Sequence, residues 1–384
     1  MKFKLPKISS YVYYTKLNFS KVFFLIRKLF IHTKILKWIH DINKHNSIVL
    51  VGANVLKPNG VDFHIHAIQE LSQTDTCLIP SDTILKKISS NNFFKNYIDK
   101  IKPNYSSILH SHVYPNYINW CYGQKLKNPN IKWIHTYHLH YYNDHGGGEV
   151  LDWQKEFNRN FIEVASKADV KISVSKWEQI LYKEKFNIDT LYIPNGVDVV
   201  KCDKANADVF YKNYGIKNFI LNVSRHDPVK NPKEFVLLAQ SMPEYNFVII
   251  GNGLTKELFK EHYNTVAPKN LTILGKMSQI EVQHAIAASS CLVSTSKKEG
   301  LPTLVLECMA QSKAVVVSNE PGSMEAIDDG KYGYFYELGN IQDLKNQTLL
   351  ALKDTIKPIK ARQRVLEEYD WRVVIKKLDK LYDA

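Results

Sequence analysis

Short apolar runs alternate with helical patterns along most of this chain. The runs fit buried strands, and the segments between them carry apolar residues at helical spacing. The predicted strands cover residues 47–52, 106–112, 131–135, 170–174, 190–193, 218–223, 246–250, 270–274, 291–293 and 314–318. The predicted helices cover residues 62–71, 153–168, 233–240, 281–289, 304–310 and 371–382. Strands separated by helices of this length predict parallel sheets.

The alternation occurs twice, with a polar stretch that we predict to be irregular at residues 199–207 between the halves. Each half predicts a Rossmann-like α/β domain, and the two sheets are expected to face each other across a deep cleft. The 384 residues suffice for two domains of ordinary size. The predicted divisions are residues 1–46, an N-terminal extension; 47–198 and 199–366, the two domains; and 367–384, a final helix with little core of its own.

Charge is concentrated at the N-terminus. The net charge is +13, and residues 1–46 contain ten Lys or Arg and one acid, Asp41. A basic body would favour nucleic-acid binding, whereas a basic arm on a nearly neutral body favours an anionic membrane surface. We therefore expect no nucleic-acid partner.

Residues 17–39 predict an amphipathic helix. An apolar stripe with basic and aromatic flanks is typical of a helix that lies in a membrane interface. Arg27 and Lys28 interrupt the apolar run, so it is too short to span a bilayer. The alternative is a helix packed on the body of the protein or on a second subunit. The stripe comprises Val22, Leu25, Ile26, Leu29 and Leu36.

The five cysteines have neither C-x-x-C nor metal-ligand spacing, which fits reduced thiols in a cytosolic protein. No signal peptide is evident, because the N-terminal apolar segment starts late and lacks a cleavage site. Together with the basic arm, this predicts a cytoplasmic protein at the inner face of the cell membrane.

The stretch 294–310 combines a strand end, a turn and a helix start. Pro302 suits the first turn of a helix, so Glu299 lies with Gly300 in the turn and Glu307 lies about two turns further on. A helix start beside a glycine can hold an anion, and a carboxylate can accept hydrogen bonds from a polyol. Two carboxylates also allow a glycosidase pair, but a fully helical segment would separate their backbones by about 12 Å, against about 5–9.5 Å in glycosidases.

Three further groups of residues follow strand ends. Arg225 and Lys230 follow the strand 218–223, where two cations can bind a diphosphate. Glycines follow the predicted strands 246–250 and 270–274, where they allow a ligand to lie close to the backbone. Histidines cluster near two other strand ends, where we expect one of them to make a polar contact in the cleft. No metal site is expected, because acidic co-ligands and H-x-x-x-H spacing are lacking. The glycines are Gly251, Gly253 and Gly275, and the histidines are His110, His112, His135, His138 and His140.

Together these motifs resemble the retaining glycosyltransferase family 4, which has the GT-B architecture. The resemblance runs from about residue 47 to the C-terminus. It rests on an E-x7-E pattern with the core E-G-L-P-T from Glu299 to Glu307, and on an R-x4-K pattern at Arg225 and Lys230. It also rests on the P-N-G-V-D sequence at residues 194–198 and on G-x-G at residues 251–253.

The resemblance implies roles for these residues. Arg225 and Lys230 would hold the diphosphate of a nucleotide sugar, Glu307 the ribose, and Glu299 the sugar. His138, in a T-x-H sequence, would lie near the reacting carbon. The base would be read by backbone near Gly251 and from Gly275 to Met277, and the final helix would cross back to the first domain. The turn residues that complete the site would be Gly300, Leu301, Pro302 and Thr303, with Gly60 from the first domain.

The implied function is retaining transfer of a sugar from a nucleotide-diphosphate sugar to a hydroxyl group, without metal, cofactor or protein nucleophile. We expect a UDP-sugar rather than a GDP-sugar, and a lipid-linked, glycan or cell-envelope polymer acceptor. A sugar-nucleotide epimerase of GT-B fold and a non-catalytic sugar-nucleotide-binding protein remain alternatives. The chain departs from the family in two places: it has Asn59-Gly60 in place of Gly-Gly, and it has the arm 1–46. His135 and His140 flank His138 and are alternatives for its role.

Overall fold

The computed structural model describes residues 21–45, 47–54, 60–81, 96–138 and 152–384, with backbone alone for residues 21–31 and for Trp153. Within these ranges the chain forms two six-stranded parallel sheets, which confirms the predicted α/β class. His140 and Asn59 lie outside the described residues.

The first sheet has the strand order β2-β1-β3-β4-β5-β6. Its strands are β1 (Val49–Ala53), β2 (Thr76–Pro80), β3 (Ile108–Ser111), β4 (Lys132–Tyr137), β5 (Val170–Ser173) and β6 (Leu191–Tyr192). Val51 of β1 pairs with Leu78 on one side and with His110 on the other. The next two strands in the sequence, β2 and β3, therefore lie on opposite sides of β1. Every residue of β1 is buried, because helices cover both faces of a parallel sheet.

The second sheet has the order β12-β11-β10-β7-β8-β9. Its strands are β7 (Phe219–Val223), β8 (Asn246–Ile250), β9 (Leu271–Leu274), β10 (Cys291–Ser294), β11 (Ala314–Ser318) and β12 (Tyr334–Tyr336). Here β7 lies between β8 and β10. The order in which successive strands are added to the sheet reverses at this central strand. In open α/β sheets, ligands bind at the carboxyl ends of the strands at such a reversal.

The helices connect these strands. They are α1 (Lys21–Asn43), α2 (Gly60–Leu71), α3 (Pro115–Lys127), α4 (Asp152–Arg159), α5 (Lys176–Phe186), α6 (Val199–Asp203), α7 (Ala207–Tyr214), α8 (Pro232–Ser241), α9 (Lys256–Tyr263), α10 (Gln279–Ala288), α11 (Thr303–Ala310), α12 (Pro321–Ala326), α13 (Ile341–Ala351), α14 (Lys357–Arg364) and α15 (Trp371–Asp383). The predicted helix 153–168 is α4 continued by a π-helical turn, Asn160–Val164, and a 3₁₀ turn, Ala165–Lys167.

The prediction of an irregular stretch at residues 199–207 was wrong. Most of it is helical, because two side chains cap helix starts in a polar sequence. Asp198 accepts a hydrogen bond from the backbone N–H of Lys201 and begins α6. Asn206 accepts one from Asp208 and begins α7. Such caps stabilise short helices that lack a strong apolar period.

The chain crosses between the two sheets twice, at neighbouring points. Residues 193–198 lead into the second sheet, and the start of α15 returns to the first. The two crossings are joined by hydrogen bonds from Val197 N–H to the Tyr369 carbonyl, 2.8 Å, and from Trp371 N–H to the Val197 carbonyl, 3.1 Å. α15 then packs its apolar side on β1 and α2, with Val374 and Leu378 fully buried. We call this pair of crossings the hinge.

The second half of α1 packs on the body of the protein. Ile35, Trp38, Ile39 and Ile42 are buried and join the core beneath the first sheet. The side-chain oxygen of Asn43 also accepts from Lys102 N–H at 2.8 Å. For the second half of α1, the alternative of packing on the body of the protein is therefore confirmed. None of the helices in the described ranges combines the length and apolar character that crossing a bilayer requires.

Candidate functional site

Two loops meet at the carboxyl edge of the second sheet. One follows β7 and contains Lys230, and the other follows β10 and contains Glu299. The hydroxyl of Thr295 donates to the Lys230 carbonyl at 3.1 Å, and Lys297 N–H donates to the Val229 carbonyl at 2.7 Å. These bonds fix the two loops to each other.

Lys230 and Glu299 form an ion pair between these loops, from Nζ to Oε1, although 69 positions separate them in the sequence. Their side chains are 27% and 18% exposed, so both reach solvent at the edge of the sheet. An ammonium group has three donors and can keep its carboxylate partner while it binds a phosphate oxygen. The pair therefore places a cation and an acceptor side by side.

The turn after Glu299 leads into α11. Pro302 occupies the capping position with an extended backbone, one residue before the helix begins at Thr303. The start of a helix leaves backbone N–H groups without helical partners and gives a positive potential. Glu307 lies on the first two turns of α11, where its Oε2 accepts from Gln283 Nε2 at 2.7 Å. Burial raises the pKa of Glu307 to about 7, although the bond from Gln283 favours its ionised form.

A cavity of about 270 Å³, the inner cavity, lies between the two sheets. Residues from both domains line it. The first domain contributes Gly60, His138 and Asn195. The second domain contributes Lys230, Glu299, Gly300, Leu301, Pro302 and Thr303, together with Ser294 and Ser296. The structure thus brings together eight of the predicted site residues from both halves of the sequence.

A second cavity of about 290 Å³, the hinge cavity, lies beside the first. It is lined by Glu307, Gln279, one face of α2 and the hinge, and it shares Gly60, Asn195 and Thr303 with the inner cavity. Glu299 and Glu307 therefore face different cavities on either side of Thr303. This separation agrees with two binding contacts better than with an acid–base pair across one bond.

His138 lies in the wall of the inner cavity and is 7% exposed. Its Nε2 lies 3.2 Å from Nδ1 of His112. The rings of His64, His112 and His138 form a triangle with centroids 5.3–5.5 Å apart. Burial, helped by neighbouring imidazoles, lowers the pKa of both His112 and His138 far below its usual range. Both rings are therefore neutral at pH 7, and His138 can act as a hydrogen-bonding group without charge.

The other described histidines of the cluster are structural contacts below the cavity wall. His110 bonds Tyr382 of α15 at 2.7 Å and Thr136 at 2.8 Å, and His135 bonds Ser111 at 2.8 Å. All are fully buried, and burial lowers the pKa of His135 to about 3. In the part of the chain that the structure describes, no group of three or more His, Cys, Asp or Glu is arranged to hold a metal ion.

Arg225 lies outside the linings of both cavities. Its side chain is 67% exposed and forms an ion pair with Asp227, two residues later, at 2.6 Å. The structure therefore separates Arg225 from Lys230, with which the sequence pattern groups it. Its predicted contact with a diphosphate stays a prediction.

The three strand-end glycines and Met277 also lie outside the linings of the two cavities. A Cβ on Gly251 would collide with the Ser224 carbonyl, so close packing of two backbones requires glycine there. Gly253 has a φ of +79°, which favours glycine in the turn. A Cβ on Gly275 would meet no atom within 4 Å. Their predicted part in base recognition is not tested by this geometry.

Asn195 is a cavity residue that the sequence did not single out. Its Oδ1 lies 3.1 Å from Nδ1 of His64, and its Nδ2 donates to the Leu301 carbonyl at 3.5 Å. It therefore links the histidine triangle to the turn before α11. The P-N-G-V-D sequence identified this position as part of a domain junction. It did not predict the contacts that Asn195 makes with His64 and Leu301.

Comparison with known proteins supports the fold. Residues 203–368 match the family model of the group 1 glycosyl transferases. A solved structure of sucrose-phosphate synthase from Thermosynechococcus elongatus superimposes with a TM-score of 0.70 at 16% identity, over 88% of this chain and 98% of the other. The chain has the GT-B fold. The cleft of this GT-B chain is the space that contains both cavities.

Two curated relatives match over part of the GT-B chain. An uncharacterized glycosyltransferase of Methanocaldococcus jannaschii is 31% identical over 248 residues, which are 63% of this chain and 64% of that protein. A UDP-Gal:alpha-D-GlcNAc-diphosphoundecaprenol alpha-1,3-galactosyltransferase of Escherichia coli is 29% identical over 219 residues, 53% and 55% of the respective chains. The match thus spans just over half to just under two thirds of the length of these relatives.

Proposed function

We propose that this protein is a retaining glycosyltransferase that moves a sugar from a nucleotide-diphosphate sugar to a hydroxyl group. One observation carries the proposal. Lys230, Glu299, the turn 300–303 and His138 line a single cavity, although they come from two domains. A cation, backbone N–H groups at a helix start and a carboxylate are the groups that a sugar diphosphate needs.

The proposed roles follow the two cavities. Lys230 and the start of α11 bind the diphosphate and stabilise the charge that develops on it as the sugar departs. Glu299 accepts from sugar hydroxyls in the inner cavity, and Glu307 accepts from the ribose in the hinge cavity. His138, neutral and held by His112, contacts the sugar near its reacting carbon. Arg225 joins the diphosphate if that ligand draws it away from Asp227.

The proposed donor is a UDP-sugar and the proposed acceptor is lipid-linked or a cell-envelope glycan. The Escherichia coli relative is named for UDP-Gal and for an acceptor on diphosphoundecaprenol, which supports both choices. Family resemblance supports retention and a reaction without metal or cofactor. The proposed location is the cytosolic face of a membrane.

A thermal-shift screen of nucleotide sugars tests the donor. A ligand at 100 times its dissociation constant adds about 2.7 kcal/mol of stability. The stabilising donor is then incubated with and without alcohol acceptors. Transfer or slow hydrolysis supports the proposal. Conversion of the donor to an epimer without acceptor favours the epimerase alternative, and stable binding without turnover favours a binding protein.

Donor affinity is expected to increase with pH around neutrality. The Glu307 pKa of about 7 means that much of this group is protonated just below neutral pH. Only the carboxylate accepts hydrogen bonds with both oxygens, so ribose binding favours the ionised form and tightens by up to about tenfold per pH unit below the pKa.

Calorimetry at several pH values measures this affinity, and the intact nucleotide sugar is used because it has no terminal phosphate that titrates near neutral pH. Glu307→Gln should bind more weakly, with an affinity that is independent of pH; an unchanged pH dependence in this variant contradicts the assignment.

Membrane contact by residues 17–39 is tested by flotation with liposomes. The comparison variant starts at His32 and not at residue 47, because Ile35, Trp38, Ile39 and Ile42 belong to the core. We expect the full chain to float with vesicles that contain anionic lipid and to stay behind with neutral ones, since basic residues near a surface contribute about 1 kcal/mol each. The shortened chain should not float. Equal flotation of the two chains refutes this contact.

A further inference from the structure

We propose that Trp177 is a positioning residue that connects closure of the interdomain cleft to the placement of Glu299. The inference rests on the proposed function, because it concerns the same donor site. Trp177 belongs to α5 of the first domain, and its indole Nε1 donates to the Gly300 carbonyl at 2.7 Å. This bond joins the first domain to the peptide that follows the proposed sugar-binding carboxylate.

The start of α5 is held against the second domain by a carboxylate. Oε1 of Glu325, on α12, accepts from Lys176 N–H at 2.9 Å, and its Oε2 accepts from Trp177 N–H at 3.0 Å. The first N–H groups of a helix have no partner within the helix, and the positive end of the helix favours an anion. Here the other domain supplies that anion. The indole of Trp177 is thereby oriented towards Gly300.

The start of α12 packs against the same turn, at Glu299 and Gly300. A Cβ on Gly322, at the start of α12, would lie within 3.0 Å of the carbonyl oxygens of both Glu299 and Gly300. The backbone of α12 therefore directly abuts this peptide. Trp177 and Gly322 approach it from different domains, so its position depends on how the domains are placed relative to each other.

A buried carboxyl group completes this contact. Glu178 is fully buried beside Gly300, and its Oε1 has no hydrogen-bond partner, whereas Oε2 lies 3.1 Å from the hydroxyl of Ser175. Burial raises the pKa of Glu178 to about 8, opposed by the bond from Ser175. The group is therefore mainly neutral at pH 7 and adds little negative charge near a site that receives a diphosphate.

Trp177 reaches the turn from the first domain, whereas Lys230 and Glu307 belong to the second domain and line the two cavities from there. A nucleotide without sugar should therefore bind without the help of Trp177. Transfer requires Glu299 in its final position and should depend on it. The inference thus predicts a separation of nucleotide affinity from turnover, which a purely structural contact would not produce.

Trp177→Phe is the variant of choice, because it keeps an aromatic ring and removes the N–H donor. We expect kcat for the donor to fall about five- to tenfold, the value of one hydrogen bond, with the Kd for UDP within twofold of that of the wild type. Trp120→Phe is the matched control, since Trp120 is buried and its Nε1 has no partner in the described structure. This control should leave kcat unchanged.

Hydrogen exchange at residues 299–303 supplies a readout that does not need turnover. Trp177→Phe should speed exchange in this segment, and Trp120→Phe should not. A kcat within twofold of wild type, an equal loss of UDP affinity, or unchanged exchange would each overturn the inference. If the wild type turns over no sugar nucleotide, the proposed function fails, and the exchange result still decides whether Trp177 holds the segment.

Discussion

Replacing Lys230 by methionine is expected to lower kcat/KM for the donor by about 100- to 1000-fold, the range found when one preorganised electrostatic group is removed from an active site. Among the described residues that line the inner cavity, Lys230 is the cation, whereas Arg225 lies outside this lining and is paired with Asp227. Methionine has a similar length and no charge, so it removes the attraction to the diphosphate and leaves most of the packing in place.

The matched control for this variant is Lys233→Met. Lys233 lies three residues later in α8 and outside both cavities. Steady-state kinetics of the two proteins, with thermal unfolding to confirm folding, separate a local effect from a change in overall charge. If Lys230→Met retains more than a tenth of wild-type kcat/KM, the diphosphate is not bound where we propose.

Gly322→Ala is expected to abolish most activity by a steric effect. The added Cβ would lie within 3.0 Å of two carbonyl oxygens, and neither they nor the helix start can rotate away as a side chain could. The peptide after Glu299 must then move. A displacement of about 1 Å in a positioned group can cost about 100-fold in rate, and overpacking costs about 1–3 kcal/mol of stability.

Gly123→Ala provides the control for adding one methyl group. Gly123 lies inside α3, and a Cβ there would meet nothing within 4 Å. Alanine is favoured over glycine in helices by about 1 kcal/mol, so this variant should be as active as the wild type and equally or more stable. Wild-type activity of Gly322→Ala would show that the position of the Glu299–Gly300 peptide does not matter for the reaction.

The fold was predictable largely because its strands are buried on both faces. Such strands are continuous apolar runs, and Asn246–Ile250 and Ala314–Ser318 have the predicted bounds. The short strands β2, Thr76–Pro80, and β12, Tyr334–Tyr336, were missed. The helices α6 and α7 were missed because single capping side chains begin them, and apolar periodicity does not report caps.

The site was predictable where residues lie at a strand end or in the loop that follows it. His138 comes directly after β4, and Lys230 and Glu299 lie in the loops after β7 and β10; parallel strands bring their carboxyl ends to one edge. Arg225 also follows a strand, but a nearby carboxylate, Asp227, determines its direction. The contacts of Asn195 and Trp177 depend on how the two domains face each other. No pattern within one domain contains that information.

The anomeric configuration of the first product tests the central claim most directly. Water can replace the unknown acceptor, so slow hydrolysis of an α-linked nucleotide sugar suffices, followed by proton NMR before the free sugar mutarotates. Retention predicts that the α-anomer appears first and equilibrates later, and that Lys230→Met forms it at a rate lower by about 100-fold or more. A β-anomer as first product, or an epimerised nucleotide sugar in place of free sugar, would contradict the account.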